Sequence, residues 1–99
     1  MLFYYIMKNM QKYLAEFVGT MFLALVILTT GGSDALAIGA GLAVAVMVVG
    51  KVSGAHLNPA LTVMFAVAKK MNQNDVMPYI VAQLLGGVVA LELHKRVKK

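Results

Sequence analysis

The residues of this chain that are best suited to chemistry are few, and they lie inside or beside apolar stretches. Glu16 falls within an apolar run, where an ionised carboxylate costs about 3 kcal/mol or more unless it has a partner. His56, Asn58 and Pro59 lie together in segment 53–63, which reads SGAHLNPALTV. Asn is a favoured N-cap, and Pro at the first helical position gives up an amide hydrogen that a helix does not use. The pattern predicts a helix that begins sharply at Pro59.

Catalysis and metal binding are not expected. The sequence offers no nucleophile with a base, no paired carboxylates and no phosphate-binding loop. Cysteine is absent, and the two histidines, His56 and His94, are too few and too separated for a metal cluster. The eight methionines are more typical of adaptable packing than of ligands. The sequence therefore predicts no enzyme activity, no metal and no cofactor.

The composition predicts that the bilayer is the solvent of this chain. Of its 99 residues, 61% are hydrophobic and only 13% are charged, which is far too apolar for a soluble chain of this size. The net charge of +5 does not indicate nucleic acid, because the Lys and Arg residues lie at the ends of apolar blocks and form no basic face. They are better explained by contact with lipid headgroups. An integral, multi-pass membrane protein is expected.

Three apolar blocks, 14–30, 35–52 and 76–93, are each near the roughly 17–25 residues that a membrane-spanning helix needs. Segment 53–68 differs, because its apolar part from Pro59 to Ala68 would reach only about 15 Å across a hydrocarbon core of roughly 30 Å. The loop before it would be tolerated at that depth only against protein or in a water-filled cavity. The predicted fold is a single all-α membrane domain over residues 1–99, with three transmembrane helices and one re-entrant half-helix.

Segment 53–63 resembles the Asn-Pro-Ala region of the major intrinsic protein family, the aquaporins and glycerol facilitators. AEFVGT at 15–20 and AQLLGG at 82–87 occur in that family's order and approximate spacing. The resemblance is to the first of the two inverted repeats of a complete subunit, so it implies half of an aquaporin-like fold. The simplest complete assembly is an antiparallel homodimer about an axis in the membrane plane, alone or in a tetramer of dimers.

The basic residues are divided almost equally between the two faces that three spans would define. A chain with one fixed orientation should keep most Lys and Arg on the cytoplasmic side. The near balance predicts insertion in both orientations, as an inverted homodimer requires, although a fragment of a longer protein would also lack its counterbalancing loops. The N-terminal face would carry Lys8, Lys12, Lys51, Lys69 and Lys70, and the C-terminal face Lys95, Arg96, Lys98 and Lys99.

The resemblance implies a passive channel for water or small neutral solutes such as glycerol. Asn58 of each copy would donate to a solute at the pore centre, and the paired half-helix N-termini would oppose cations and protons. Leu61 stands three residues after that Asn, where the second motif of a full channel usually has arginine, so the constriction would be apolar and its proton exclusion weaker. The implied pore and selectivity residues are Asn58, Pro59, Ala60, His56, Ile38, Val46, Ala55 and Leu61.

Other residues are expected to support this arrangement. By resemblance, Glu16 and Gln83 would brace the re-entrant loop. His56 is open to two interpretations, packing against backbone carbonyls or gating with pH. Small residues let membrane helices approach closely, and the glycines expected to do so are Gly19, Gly50, Gly86 and Gly87.

Two rival functions remain open from the sequence. The chain also has the length and the Ala-Glu context of the small multidrug resistance exporters, in which Glu16 would bind protons and cationic drugs. That family has four full spans, whereas three and a half are predicted here. The second rival is a non-conducting assembly partner of a full channel.

Overall fold

The apolar blocks of the sequence fold as helices. A computed structural model describes residues 1–97, and this part of the chain is helical without any strand. The helices are α1 Leu2–Lys8, α2 Met10–Thr29, α3 Ala35–Ser53, α4 Pro59–Val67 and α5 Val76–Val97, with a 3₁₀ turn Gln73–Asp75 before α5. Within the described chain, α2, α3 and the segment Gln73–Val97 are long and apolar enough to cross a membrane. The predicted all-α membrane fold is confirmed.

The helix ends differ from the limits of the apolar blocks. α2 begins at Met10 rather than Leu14, and α5 continues to Val97 rather than Leu93. The apolar blocks mark only the part of a helix that suits contact with lipid. The helices are longer because their hydrogen bonds continue into the polar interface. The turn between α2 and α3 is fixed by Gly31 and Gly32, which have φ values of 75° and 79°.

α2 is the central helix of the bundle. It packs against α3 on one side and α5 on the other, while the short α4 packs against α5. Gly86 allows the closest approach, because a Cβ added there would lie 2.6 Å from the carbonyl oxygen of Phe17. The backbones of α2 and α5 therefore touch at this point.

The four glycines expected at helix contacts are not equivalent. A Cβ at Gly19 would lie 2.7 Å from Leu57 Cδ2, so Gly19 makes room for the loop before α4. A Cβ at Gly87 would meet nothing within 4 Å, and one at Gly50 would meet only Val46 of its own helix. The expectation of close helix packing is therefore not met at Gly50 and Gly87 within the single chain, because both face away from the neighbouring helices.

Candidate pore loop and its supports

α4 begins at a cap made by Asn58. This residue is extended, with φ −156° and ψ 124°, and its Oδ1 accepts a hydrogen bond of 2.8 Å from the backbone N–H of Ala60. Pro59 occupies the first turn, where its missing N–H costs nothing. Asn58 is exposed, and its Nδ2 donates to no acceptor among residues 1–97. The amide is therefore free to donate to a molecule outside the chain.

The loop before α4 has an unusual backbone. Gly54, Ala55 and Leu57 have φ values of 89°, 51° and 59°, and a left-handed conformation at a non-Gly residue costs on the order of 1–3 kcal/mol unless the surroundings hold it. The N–H groups of residues 55–57 all bind side chains. The carbonyl oxygens of residues 54–57 accept no hydrogen bond within the described chain. Four consecutive acceptors are thus left available.

Glu16 holds this loop in place. Its side chain is fully buried, and its Oε2 accepts hydrogen bonds from Ser53 Oγ at 2.7 Å and from the N–H of His56 at 3.0 Å. Its Oε1 accepts from the N–H of Leu57 at 2.8 Å and from Gln83 Nε2 at 2.9 Å. A carboxylate is an acceptor-only group with room for four donors. The burial of Glu16 is thereby balanced by four bonds that join α2 to the end of α3, the loop and α5.

Gln83 extends the network to α4. Its Nε2 also donates to Thr62 Oγ1 at 2.9 Å, and Thr62 Oγ1 lies 2.9 Å from Nδ1 of His56. The Oε1 atom of Gln83 is buried without a partner. Exchanging the two ends of the amide would set Oε1 against the Glu16 carboxylate, so the present orientation is preferred. Among residues 1–97 the Thr62 hydroxyl has only His56 Nδ1 as acceptor, which favours the neutral imidazole with its hydrogen on Nε2.

His56 is buried in the single chain. It is 9% exposed, and its ring stacks on Phe65 with a centroid distance of 4.5 Å. Tyr79 covers it from another side at 4.9 Å. In the single chain His56 therefore anchors the loop to α4 and α5.

A second support acts through tyrosine. Tyr79 donates to the carbonyl oxygen of Ser53 at 2.7 Å, at the end of α3. Tyr13 meets Tyr79 edge to face at 5.9 Å and donates to Asp75 Oδ1 at 2.7 Å. Lys12 forms a 2.7 Å ion pair with the other oxygen of Asp75. The start of α5 is thus tied to the start of α2.

Comparison with known proteins decides the family. The family described as Major intrinsic protein matches the chain over residues 4–99. This chain belongs to the major intrinsic protein family. The earlier resemblance is confirmed.

Several relatives in this family are similar to the chain. It is 39% identical to glycerol uptake facilitator protein-like 6 of Lactiplantibacillus plantarum over 88 residues, covering 82% of this chain and 41% of the relative. It is 44% identical over 92 residues to aquaporin NIP3-1 of Arabidopsis thaliana (81% and 28%). It is 35% identical over 98 residues to aquaporin Z of Bradyrhizobium diazoefficiens (86% and 41%). The chain thus spans less than half the length of each. No solved structure matches it.

The other predicted pore positions of this major intrinsic protein chain are distributed over three elements. Leu61 and Val46 are 42% and 45% exposed, and Ile38 is half-buried. Ala55 packs against a small core of Ala45, Val49 and Leu57. Pro59 is half-buried and Ala60 exposed. In the single chain, four of the predicted pore residues are therefore exposed: Val46, Asn58, Ala60 and Leu61.

Sequence reasoning missed Ser53, Thr62, Tyr79 and the Tyr13–Asp75 pair. A signal for Tyr79 was present, because Tyr79 and Gln83 are polar residues four apart in an apolar helix and so share one face. Asp75 had no comparable signal. Its partner Tyr13 lies 62 residues away, and only the packing of α2 on α5 brings the two together.

Proposed function

We propose that this chain forms a passive channel, rather than an enzyme, for water or small neutral solutes such as glycerol. The observation that carries the proposal is the start of α4. A helix of nine residues spans about 14 Å, roughly half of the hydrocarbon core. Its first residues present the free amide of Asn58 beside the four unpaired carbonyls of residues 54–57. Such groups can replace the hydration of a neutral solute.

A second unit is needed to complete a passage, and we propose an inverted second copy. The relatives are more than twice as long as the matched region, which leaves room in each for a second unit. The chain has large uncovered apolar surfaces, with Leu36, Met47 and Val48 of α3 and Val67 of α4 between 69% and 88% exposed. The near-equal division of Lys and Arg between the two faces supports insertion in both orientations.

The proposed selectivity follows from the chemistry of the uncovered residues. Two facing helix N-termini, each equivalent to roughly half a positive charge, disfavour cations and protons at mid-pore. Asn58 of each copy donates to an oxygen of the passing solute. The surrounding positions Val46, Ala55 and Leu61 are apolar, so glycerol should compete well with water. With Leu61 in place of an arginine, proton exclusion rests on the helix N-termini alone.

A drug exporter that uses Glu16 fits less well. Glu16 is 0% exposed, and four donors already surround its carboxylate. A cationic drug would have to displace the supports of the loop. The other rival is a non-conducting assembly partner, and a transport experiment distinguishes it directly from a channel.

The test is osmotic swelling of proteoliposomes that contain the chain alone, with and without glycerol. Asn58→Asp keeps the cap, because Asp and Asn cap helices equally well, but it replaces the donor with a negative charge and should lower flux strongly. Gln11→Glu is the matched control, since it makes the same change at an exposed position of α2 and should leave flux unchanged. If the wild-type chain adds nothing to the permeability of the lipid, the self-sufficient channel is refuted.

Orientation is tested separately. Tags are placed at the two termini and probed in intact cells with a reagent that does not cross the membrane. If the chain inserts in both orientations, a fraction of each tag should be labelled from outside. Labelling of only one of the two termini would contradict the inverted homodimer. Whether the chain conducts is decided separately by the flux measurement.

A further inference from the structure

An apolar groove of about 600 Å³ runs along α2 and α5. Its walls include residues spaced three or four apart on each helix: Met10, Leu14 and Phe17 of α2, and Met77, Val81 and Leu85 of α5. α2 uses a different face, with Gly19 and Val26, against α3 and the loop. The groove is therefore separate from the candidate pore and opens outward from the bundle.

The dimensions of the groove suit an acyl chain. From Met10 to Phe17 the α2 wall rises about 10 Å, compared with a depth of roughly 15 Å for one leaflet of hydrocarbon. Because the groove follows α2 and α5, it runs in the direction in which lipid tails lie. Its volume is within the range of roughly 300–1,000 Å³ that is usual for pockets that bind small molecules.

One end of the groove is polar. A second hollow of about 500 Å³ shares Leu2 and Asn74 with the groove and is also lined by Tyr4, Tyr5 and Lys8. Lys12 is paired with Asp75, whereas Lys8 is exposed and forms no ion pair within residues 1–97. The hollow thus offers one uncompensated ammonium group at the level where the apolar groove begins.

The chain's own acidic side chains are already engaged. It has four, and Glu16 and Asp75 are buried in the networks described above. Asp34 caps α3 through the N–H of Ala37, and Glu92 pairs with Lys95 and Arg96. None of the four pairs with Lys8 within residues 1–97, whereas an anionic lipid supplies a negative charge and an apolar tail together.

We propose that the groove and its polar end bind one phospholipid with an anionic headgroup. An acyl chain lies between the two rows of apolar residues, and the headgroup phosphate lies beside Lys8. This site is independent of whether the chain conducts solutes.

The charge contact is tested by native mass spectrometry of the full chain in detergent, with phosphatidylglycerol and phosphatidylcholine of identical tails. We expect one bound phosphatidylglycerol per chain, held about fivefold more tightly than phosphatidylcholine, as for one basic residue near a headgroup. Lys8→Gln should abolish this preference. Lys51→Gln removes the same charge from an exposed residue of α3 and should retain it. Equal binding of the two lipids by the wild type would overturn the proposal.

The groove is tested by filling it. Leu14→Trp and Val81→Trp place an indole in it from opposite walls, where both residues are about half exposed, and each should weaken binding of both lipids by about tenfold or more. Leu84→Trp adds an indole to an exposed residue of α5 outside the groove and should bind lipid as the wild type does. Unchanged binding in both groove variants would overturn the proposal. So would a shift from dimer to monomer in these variants without loss of lipid, since a second copy would then occupy the groove.

Discussion

The Oε1 atom of Glu16 lies 2.8 Å from the backbone nitrogen of Leu57, although the two residues are 41 positions apart in the sequence. Leu57 immediately precedes the Asn58 cap, and its φ is 59°. A carboxylate in the first long helix therefore holds the strained residue that aims the start of α4. The geometry of the candidate pore depends on a residue that does not face it.

Glu16→Gln should destabilise the fold strongly. The substitution turns one acceptor oxygen into an NH₂ group, so two of the four donors would face another donor. Since hydrogen bonds to charged groups contribute about 1.5–3 kcal/mol each, and breaking a buried charged network costs more, we expect a loss of about 3–5 kcal/mol in the free energy of unfolding. Unfolding in mixed micelles, followed by circular dichroism, measures this loss.

The control for that substitution is Glu92→Gln. Glu92 pairs with Lys95 and Arg96 at an exposed position of α5, and exposed pairs contribute little to stability. Its unfolding midpoint should stay close to that of the wild type. Amide hydrogen exchange at His56 and Leu57 should accelerate in Glu16→Gln alone. Equal midpoints for the two variants would show that the Glu16 network does not stabilise the loop.

Thr62→Val should show how much the hydroxyl of Thr62 contributes to stability, because the size of the side chain hardly changes. Valine has nearly the same shape but leaves one hydrogen of Gln83 Nε2 and the Nδ1 atom of His56 without a partner, at an expected cost of about 1–3 kcal/mol. Nitrogen NMR of His56 should show the neutral Nε2–H form in the wild type and a changed Nδ1 shift in the variant. Thr62→Ser retains the hydroxyl and should keep the wild-type spectrum. An Nδ1–H form in the wild type would contradict the proposed direction of the hydrogen bond.

The sequence carried most of the information on local structure, because helices that cross a bilayer must be long and apolar and because Asn58 and Pro59 specify a helix start. It also indicated Glu16, since a carboxylate in an apolar helix must find partners, whereas Gln83 was expected as a support through the family resemblance. It did not indicate the other contacts between residues that are distant in the sequence. Tyr13 and Asp75 are ordinary interfacial residues until α2 packs on α5, and the burial of His56 depends on Phe65 and Tyr79 together.

The Tyr13–Asp75 pair should show energetic coupling. Asp75 is 4% exposed, so the hydroxyl of Tyr13 donates to a carboxylate that water reaches poorly. In a cycle of Tyr13→Phe and Asp75→Asn, we expect a coupling of about 1.5–3 kcal/mol. The same tyrosine change combined with Asp34→Asn, at the opposite end of α2, should give additive effects. Additivity in the first cycle would show that this contact does not hold α5 to α2.

Gly86→Ala and Gly87→Ala should change stability in opposite directions, although they are adjacent in one helix. A Cβ at Gly86 would lie 2.6 Å from the carbonyl oxygen of Phe17 and 3.2 Å from the nitrogen of Met21. Neither is the movable end of a side chain, so α2 and α5 must separate. Overpacking of this kind typically costs about 1–3 kcal/mol, which exceeds the gain of up to about 1 kcal/mol from replacing a helical glycine.

At Gly87 no steric clash offsets the gain in helix propensity, because an added Cβ has no neighbour within 4 Å. Gly87→Ala should therefore raise the free energy of unfolding by about 0.5–1 kcal/mol. The pair is measured in the same micelle unfolding assay, with the chain kept monomeric by dilution. Separation of α2 from α5 should also weaken the bond between Glu16 and Gln83, so faster amide exchange at Leu57 is expected in Gly86→Ala only. If both alanines destabilised the chain equally, the close backbone contact at Gly86 would not be the feature that joins the two helices.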